Sequence, residues 1–504
     1  MRKNDTITRL TMRQLFTRFP NKTRRMLEIL VPGLSWLLIT MPLWLSFSHP
    51  ALVAYLIITF DVYWFYKSFT LAIHATRAFL TLQAHVKVDW RAQAGASPGF
   101  DTLYHAIIVP EYREPIHILR RTLENLAKQD FPHERLIIVL ATEDKDPHAR
   151  ETGSLLKQEF GSHFGHFLVT RHVLHHGEVA GKSSNMAWAA KRLVAALTDW
   201  NISVDQVTVT SCDADALLHP TYFSALSYHF LTDPDRAYHF YQGAILFYSN
   251  IWRIPLPTRV LNTLGSIWNL ALLSQQSRFI NFSTYSLPLA TAARVGYWDV
   301  DVIPEDYHLF FKVYFTMGEK VATRGIFLPV LVDAAESRTL LGTLVNQYEQ
   351  SKRWAWGVSD IPYVIRGVIL NGQIALGDRL RRLVFLLEHH IFWPSNWFIL
   401  TIGSSIPPLL NSAFSRTVLG HNLAQISSGI LTLSAIFLLV VIIIDLRIKP
   451  PRPKEFATWK LPFLYLQWLT LPIVSFFLAA LPGLDAHTRL MLGKRLEYRV
   501  TEKV

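Results

Sequence analysis

Long apolar runs mark both ends of the chain, and a mixed apolar and polar pattern fills its middle. Residues 27–47 and 51–73 are each apolar enough to cross a bilayer, since a span needs ~20 apolar residues. Only His49 and Pro50 separate them, which predicts a tight turn between two helices. Three further apolar segments follow the middle, at about 391–411, 427–446 and 461–481. The pattern predicts a membrane hairpin, a globular insert and a C-terminal membrane region.

Between residues 100 and 335, short apolar runs typical of strands alternate with amphipathic helix patterns. Strands are predicted at 105–110, 135–140 and 206–212, and helices near 115–129 and 182–198. This alternation favours a parallel, doubly wound sheet with helices on both faces. Ligands of such sheets bind at the carboxyl ends of the strands, so we expect each acidic motif to follow a strand.

Composition and charge place this insert beside a membrane. Half of the residues are hydrophobic and only 17% are charged, too few for a purely soluble protein. The net charge is +12, and the basic residues cluster next to the apolar spans. By the positive-inside rule this predicts a cytoplasmic insert, in a bacterial-type inner membrane, rather than a nucleic-acid-binding protein. The single cysteine, Cys212, excludes an intramolecular disulfide and a cysteine-based zinc site.

These observations predict six segments along the chain. They are a basic cytoplasmic tail (1–26), a transmembrane hairpin (27–73), a catalytic domain (100–335), interface helices (336–390), a C-terminal transmembrane region (391–482) and a second basic tail (483–504). A full crossing at 461–481 would put the second tail outside, so we expect Pro472 to break that segment into a re-entrant or interfacial hairpin.

Two acidic pairs are candidates for chemistry. Asp213 and Asp215 follow a predicted strand, and a spacing of two on extended backbone would point both carboxylates the same way. Together they could hold Mg²⁺ or Mn²⁺ against a diphosphate. Further on, Glu305 and Asp306 offer a carboxylate that could remove a proton from an acceptor hydroxyl, a role given to Asp306. The alternative for the second pair is a cap on a helix at 305–315.

Two basic motifs complete the set. Lys182 follows Gly177 and Gly181 at a predicted helix start, where backbone N–H groups and the lysine ammonium could bind a phosphate. The alternative is a helix cap with a solvated lysine. Arg353 and Trp354 lie three and four residues after Gln350, so a helix would place all three on one face. Arg353 could pair with a diphosphate and Trp354 could offer a platform to an acceptor, or both could anchor the helix at the membrane interface.

The order of these motifs resembles the family-two glycosyltransferases, in the membrane-bound branch that includes cellulose and hyaluronan synthases. The resemblance covers roughly 100–360 and the flanking membrane helices. It implies an α/β GT-A (Rossmann-like) catalytic domain between transmembrane segments, a nucleotide-diphosphate sugar donor, and inversion at the anomeric carbon. It also implies that Asp215 is a direct metal ligand, and that Asp213 contacts the donor sugar or is a second metal contact.

The same resemblance extends to weaker segments. Pro110 and Glu111 stand where the family has Pro-x-Tyr-Asn-Glu, which implies contact with the nucleotide base, although Glu111 and Glu114 could also cap the next helix. After the second strand the family has an Asp pair. Here the stretch reads Ala-Thr-Glu-Asp, so the carboxylate that meets the base is Glu143 or Asp144, or the stretch is an ordinary polar turn. Trp298 resembles a residue of the acceptor site, or it is core.

The leading hypothesis is therefore an integral-membrane, metal-dependent inverting glycosyltransferase. Donor contacts are expected from Pro110, Glu111, Glu143, Asp144, Lys182, Asp213, Gln350 and Arg353, and acceptor contacts from Trp354 and Trp298. The acceptor would be a lipid, a lipid-linked glycan or a growing polysaccharide. One alternative is a processive polysaccharide synthase that exports its product. Another is a catalytically silent membrane scaffold that binds nucleotide sugars.

Overall fold

The computed structural model of the chain describes residues 12–454, 456, 459 and 461–496. Predictions for residues 1–11 and 497–504, which belong to the two basic tails, lie outside this part of the chain. The strands are β1 Tyr104–Pro110, β2 Leu136–Glu143, β3 His166–His172, β4 Val207–Ser211, β5 Leu217–Leu218, β6 His239–Leu246, β7 Tyr285–Pro288 and β8 Ala322–Leu331.

The helices up to the middle of the chain are α1 Met12–Arg18, α2 Pro20–Leu45, α3 Pro50–His85, α4 Trp90–Gly95, α5 Ile116–Leu126, α6 Ala149–Phe160, α7 Lys182–Asp199, α8 Tyr222–Thr232, α9 Leu256–Leu273, α10 Leu289–Arg294 and α11 Glu305–Met317. Those that follow are α12 Leu340–Ala355, α13 Ile361–Leu370, α14 Leu376–Ile402, α15 Ile406–Leu410, α16 Ser412–Ser415, α17 Val418–Ile448, α18 Leu461–Leu466, α19 Leu471–Ser475 and α20 Leu481–Met491.

The strands form one mixed sheet in the order β3-β2-β1-β4-β7-β6-β8-β5. Strands β3, β2, β1 and β4 are mutually parallel, and β6 is parallel to β8. The prediction of a wholly parallel sheet is wrong at β7, which is antiparallel to β4 and β6, and at β5. Strand β7 is antiparallel to β4 because the chain enters it at the carboxyl edge of β4, where Tyr285 pairs with Ser211.

Helices cover both faces of this sheet, as the α/β prediction requires. Ile107 packs on one face with Leu119 of α5 and Phe223 of α8. Its neighbour Ile108 packs on the other face with Leu193 of α7. Successive strand residues point to opposite faces, so a strand buried on both sides is apolar throughout. The carboxyl edge of β1, β2 and β4 is therefore the open edge of a three-layer domain.

Among the residues that the structure describes, four segments are long and apolar enough to cross a membrane: Pro20–Leu45, Pro50–His85, Val418–Ile448 and Leu461–Met491. The predicted span at 391–411 is not among them, because α14 ends at Ile402 and its first half carries several charged residues. In the last segment a short 3₁₀ stretch, Gln467–Thr470, precedes α19, which has Pro472 in its first turn. Whether that segment crosses fully stays a prediction.

The sheet domain packs directly on the long apolar helices. Ala78 and Leu82 of α3 pack in one cluster with Ile267 of α9 and Val441 of α17. Because α9 follows β6, this contact fixes the sheet relative to α3. The loop after α9 leads into β7, and it positions the site described next.

Candidate active site

Lys182 begins α7, and its ammonium lies between two carboxylates. Nζ is 2.7 Å from Asp213 Oδ1 and 3.0 Å from Glu305 Oε1, and it donates to the carbonyl of Ser283 at 3.1 Å. Burial acts to lower the pKa of Lys182, but the two carboxylates outweigh it and hold this pKa well above its usual range. The lysine is thus a fixed positive charge in an enclosed site, and the structure brings three of the predicted site residues together.

Ser283 joins the two acidic motifs, and sequence reasoning does not identify it. Its backbone N–H donates to Asp306 Oδ2 at 3.1 Å, and its Oγ donates to Asp213 Oδ2 at 2.5 Å. The residue has φ of +60°, in the left-handed region that few non-glycine residues adopt. Such backbone strain is concentrated at functional sites. The sequence offers only a short polar run before a strand, which is too common to indicate a site.

Asp306 lies in the first turn of α11. Its Oδ1 accepts from the N–H of Tyr307 at 2.8 Å, and its other oxygen accepts from Ser283. Burial and the adjacent Glu305 carboxylate raise the pKa of Asp306 to about 7, although the Lys182 ammonium acts to lower it. A carboxyl group with a pKa near the working pH is well suited to accept a proton.

The expectation that each acidic motif follows a strand is wrong for Glu305 and Asp306. Strand β7 ends at Pro288, and α10 and a loop intervene before α11 begins at Glu305. A helix start rather than a strand end therefore brings this pair to the site. The helix dipole favours both carboxylates there, so capping and catalysis are compatible roles for them.

Asp213 and Asp215 follow β4 but lie in a turn, so the assumption of extended backbone is wrong. The N–H of Ala216 donates to the carbonyl of Asp213 at 2.9 Å, which closes the turn. The two side chains consequently face different neighbours. Asp213 meets Lys182, whereas Asp215 is buried and its Oδ2 accepts from the N–H of Asp333, just after β8, at 2.9 Å.

The acidic residues around this turn have the chemistry of a divalent cation site. Asp333 pairs through Oδ2 with Arg121, and its Oδ1 is buried with no hydrogen-bond partner among the described residues. Within the same residues, no three His, Cys, Asp or Glu side chains converge closely enough to hold a metal alone. Mg²⁺ takes one or two carboxylates and completes its shell with substrate phosphates, so the role of Asp213 and Asp215 as its ligands stays a prediction.

Pro110 ends β1, and Glu111 turns toward the end of β2. The N–H of Glu111 donates to the carbonyl of Ala141 at 2.8 Å, and its Oε1 accepts from the N–H of Glu114 at 3.3 Å. Burial and the Asp146 carboxylate raise the pKa of Glu111 to about 8. Asp146 was not identified from the sequence, because a single aspartate in a polar loop carries no signature. Contact of Pro110 and Glu111 with a nucleotide base stays a prediction.

Glu143 and Asp144 are already paired within the protein. Glu143 Oε2 lies 3.0 Å from Nδ1 of the buried His172, whose Nε2 is 3.0 Å from Glu178. Burial acts to lower the pKa of His172, but the two carboxylates raise it above its usual value. Asp144 forms an ion pair with Arg171. Their contact with a nucleotide base stays a prediction, and Glu143 would have to leave His172 to make it.

The segment that follows the helix with Gln350, Arg353 and Trp354 contacts Tyr307, the residue after Asp306. Gln350 is buried, and Trp354, 36% exposed, packs with its ring centroid 5.4 Å from that of Phe247. Just beyond this helix, the hydroxyl of Tyr307 donates to the carbonyl of Gly357. The residue after Asp306 is therefore bonded to the segment after α12. Contact of Gln350 and Arg353 with a donor, and of Trp354 with an acceptor, stays a prediction.

Trp298 is a core residue in this structure. It is 2% exposed, and its Nε1–H donates to the hydroxyl of Tyr285 at 2.7 Å. An acceptor could not reach the buried indole in this arrangement, so its predicted acceptor role is not supported. The burial arises because the turn around Gly296, with φ of +79°, directs the following residues back into the core.

His308 fixes α11 against the segment after α12. Its Nδ1 is 2.6 Å from Asp360 Oδ1, and its Nε2 is 2.8 Å from Asp299 Oδ2. Burial acts to lower the pKa of His308, but these carboxylates raise it to about 9. The contact orients the helix that begins with Glu305 and Asp306.

We expect His308→Ala to lower the free energy of unfolding by about 3 kcal/mol at neutral pH, because it leaves Asp360 buried without its partner. The pKa of His308 rises on folding from 6.5 to about 9, so its contribution is complete below 6.5 and disappears as pH rises through 9. Thermal unfolding in detergent, with the exposed His117→Ala as control, measures the difference. A deficit of the same size above pH 9 would contradict the assignment.

Comparison with known proteins identifies the family. A family model described as "Glycosyl transferase family group 2" matches residues 208–480, more than half of the 504-residue chain. No curated protein matches the chain significantly.

Among solved structures, the chain is similar to the mannosyltransferase PcManGT from Pyrobaculum calidifontis in complex with GDP-Man and Mn²⁺, with 16% identity, a TM-score of 0.43, and coverage of 78% of this chain and 100% of that one. S. aureus TarS 1–349 in complex with UDP-GlcNAc has 12% identity, a TM-score of 0.31, and coverage of 78% and 93%. GalNAc-T7 with UDP, GalNAc and Mn²⁺ has 12% identity, a TM-score of 0.32, and coverage of 57% and 55%.

The predictions of fold class and enzyme class are thus confirmed by the sheet with its two helical layers and by the family match. The matched region contains Asp213, Asp306 and Arg353. The chain belongs to glycosyl transferase family group 2 and is a glycosyltransferase with a GT-A-type α/β catalytic domain, flanked by helices apolar enough to cross a membrane.

Proposed function

We propose that this enzyme is an integral-membrane inverting glycosyltransferase of the branch that includes cellulose and hyaluronan synthases. It transfers a sugar from a nucleotide-diphosphate sugar to a lipid-linked or polysaccharide acceptor at the cytoplasmic face. The observation that carries the proposal is the bridge made by Ser283, which holds Asp213 and Asp306 in one cluster. Ser283 alone therefore connects Asp213, the carboxylate proposed to contact the donor, with Asp306, the proposed base.

In this proposal Asp306 is the base. It accepts the proton of the acceptor hydroxyl while that oxygen attacks the anomeric carbon, and the bond to the diphosphate breaks on the opposite face. A single displacement of this kind inverts the anomeric carbon. Lys182 lies 2.7 Å from Asp213, and its ammonium is proposed to stabilise the negative charge that develops on the leaving diphosphate. Arg353 is proposed to pair with the same diphosphate.

Asp213 and Asp215 are proposed to hold Mg²⁺ or Mn²⁺. The oxygen-only donor set and the buried, unpartnered Oδ1 of Asp333 beside Asp215 support this assignment. Such a cation, when bound, neutralises the diphosphate of the donor. The protein's own part is to hold the two carboxylates on a closed turn at the carboxyl edge of β4.

Membrane placement is proposed from the four apolar segments and the positions of basic residues. Arg77, Lys87 and Arg91 lie at or just beyond the end of α3 that enters the catalytic domain, and basic residues are favoured on the cytoplasmic side. The catalytic domain follows directly, so we place it in the cytoplasm. An inner membrane of the bacterial type remains part of this proposal.

A panel of UDP- and GDP-sugars, incubated with the purified protein in detergent and scored by release of nucleoside diphosphate, tests the function. We expect release from at least one donor, with product formation when a lipid-linked or glycan acceptor is added. Analysis of the anomeric configuration of the product tests inversion. Absence of release from every donor, with a protein that unfolds cooperatively, would contradict the proposal.

Transfer should depend on pH through Asp306. The pKa of Asp306 in the free enzyme is raised to about 7, and the base must be unprotonated, so kcat/KM should rise as pH increases through about 7 and then level off. A kcat/KM profile for the acceptor measures this limb. A rate that stays constant from pH 5.5 to 8 would contradict the assignment of Asp306 as the base.

A further inference from the structure

One face of α3 carries a line of polar residues that the proposed catalysis does not use. The line consists of Tyr63, Lys67, Thr70, His74 and Arg77. Their spacings of three and four residues place them on a single helical face. Large apolar side chains of the same helix are exposed beside them, including Phe69, Ile73 and Leu80. A polar line on an otherwise apolar, membrane-length helix indicates a function, because polar groups there are costly.

The half of this line farther from the catalytic domain is neutralised within the protein. Lys67 forms an ion pair with Glu388 of α14, and Tyr63 donates to the same carboxylate. The half nearer the domain is different. His74 Nδ1 is 2.9 Å from Ser274 Oγ, at the end of α9, and Arg77 makes no hydrogen bond or ion pair through its side chain within the described part of the chain.

A cavity of about 510 Å³ lies at this end, between α3 and the loop after α9. Its lining includes His74, Arg77, Gln276 and Arg278, and no Asp or Glu. The carboxylate of Glu388 is 3.9 Å from Arg278, but Lys67 already shares it. The cavity therefore has two guanidinium groups without a carboxylate of its own. Guanidinium groups match the oxygen geometry of phosphate, to which they can donate two hydrogen bonds each.

The surroundings of the cavity indicate a lipid as the source of that phosphate. Ile73 and Leu80 flank Arg77 on α3 and are 41% and 60% exposed. On α14, Val384 is 60% exposed beside Phe385, over whose ring the guanidinium of Arg278 lies at 5.7 Å. A headgroup in the cavity would thus have apolar surface next to it for acyl chains. A soluble phosphate compound would leave that surface unused.

The cavity is also connected to the catalytic cluster. Arg278 is five residues before Ser283, so the two are at most about 18 Å apart along the chain. Between them, Asn281 Nδ2 donates to the backbone carbonyl of Asp306 at 3.0 Å. A headgroup bound at Arg278 therefore lies on the loop that holds the proposed base.

We propose that the cavity between α3 and the loop at 274–278 is a binding site for the phosphate headgroup of an anionic membrane lipid, one whose phosphate has no cationic group attached, with Arg77 and Arg278 as its ligands. The inference rests on the membrane placement proposed above, but not on the identity of the sugar donor or on the assignment of the base.

Native mass spectrometry of the full chain in detergent, titrated with phosphatidic acid or phosphatidylcholine, tests the site. We expect phosphatidic acid to bind more tightly, and Arg77→Gln with Arg278→Gln to weaken that binding about tenfold or more, as the loss of a charged hydrogen bond implies. Lys87→Gln with Arg366→Gln removes two exposed cations elsewhere and should change the affinity less than about twofold. An excess of inorganic phosphate should not displace the lipid.

Several outcomes would overturn the proposal. Phosphatidylcholine could bind as tightly as phosphatidic acid, or the glutamine double variant could bind phosphatidic acid as tightly as the parent. Displacement of the lipid by inorganic phosphate would assign the cavity to a soluble ligand. Arg77→Lys with Arg278→Lys separates charge from folding: it should retain more affinity than the glutamine variant, and equal loss would mean a structural role. Lipid binding is measured without a sugar donor, and release of nucleoside diphosphate is measured without added lipid. A negative result for the lipid site is therefore distinguishable from a negative result for the proposed function.

Discussion

Asp306→Asn is expected to lower kcat for sugar transfer by about 10²–10⁴-fold, the usual contribution of a positioned general base. The amide keeps the shape of the side chain, and its one oxygen can still accept the N–H of Ser283, although the N–H of Tyr307 then loses its acceptor. It cannot take a proton from the acceptor hydroxyl. Initial rates of transfer at saturating donor, together with donor affinity measured separately, should therefore show a loss in kcat with nearly unchanged donor binding.

Asp301→Asn is the matched control for this experiment. Asp301 is exposed and lies a few residues before the same helix, so its substitution removes one carboxylate without touching the cluster. Transfer by the control should remain within about twofold of the parent, as for most exposed positions. Full transfer activity by Asp306→Asn would refute its role as the base. A loss of donor binding alone would indicate a structural role instead.

Lys182→Met is expected to lower kcat/KM for the donor by about 10²-fold or more, since truncating one member of a buried charge pair costs about 2–5 kcal/mol. The methionine fills a similar volume but leaves Asp213 and Glu305 facing each other without the ammonium. Their mutual repulsion should also lower the unfolding temperature. Steady-state kinetics over a range of donor concentrations and thermal unfolding in detergent measure the two effects.

Two further variants identify the cause of that loss. Lys191→Met changes an exposed lysine of the same helix α7 and should leave both kinetics and unfolding close to the parent. Lys182→Arg keeps the charge and should restore the unfolding temperature more fully than the kinetics, because a guanidinium cannot occupy the same point between two carboxylates. Lys182→Met with normal kinetics would show that the ammonium is not needed for donor handling.

Those residues of the site that belong to local sequence motifs could be predicted. A strand end followed by Asp213, a glycine-flanked lysine and an acidic helix start are each visible in the sequence, and the fold brings Lys182, Asp213 and Glu305 within ion-pair distance. The α/β layers were also predictable, because strands buried on both faces are continuously apolar while their helices are amphipathic.

What could not be predicted depends on tertiary contacts. Ser283 acquires its role from a left-handed backbone and from neighbours about 70 and 23 residues away, and no local pattern reports that. Asp146 and His172 are meaningful only through the carboxylates that they meet. Trp298 shows the reverse case, since an aromatic residue in a turn fits a binding surface and a core equally well until its burial is known.

The antiparallel strand β7 has the same origin. Its sequence, like that of any short apolar run, does not show the direction in which the strand is traversed. Direction follows from where the preceding loop delivers the chain, and α9, the helix before that loop, packs on α3. Such a long-range contact is not visible to a search for local patterns.

The bridge at Ser283 has a consequence for the order of events during turnover. This single residue donates to Asp306 through its N–H and to Asp213 through its hydroxyl, and its carbonyl accepts from Lys182. A rotation that loosens one of these contacts loosens the others as well. If Asp306 and Asp213 act as proposed, we expect proton removal and sugar departure to be coupled through Ser283, which would disfavour hydrolysis of the donor before the acceptor binds.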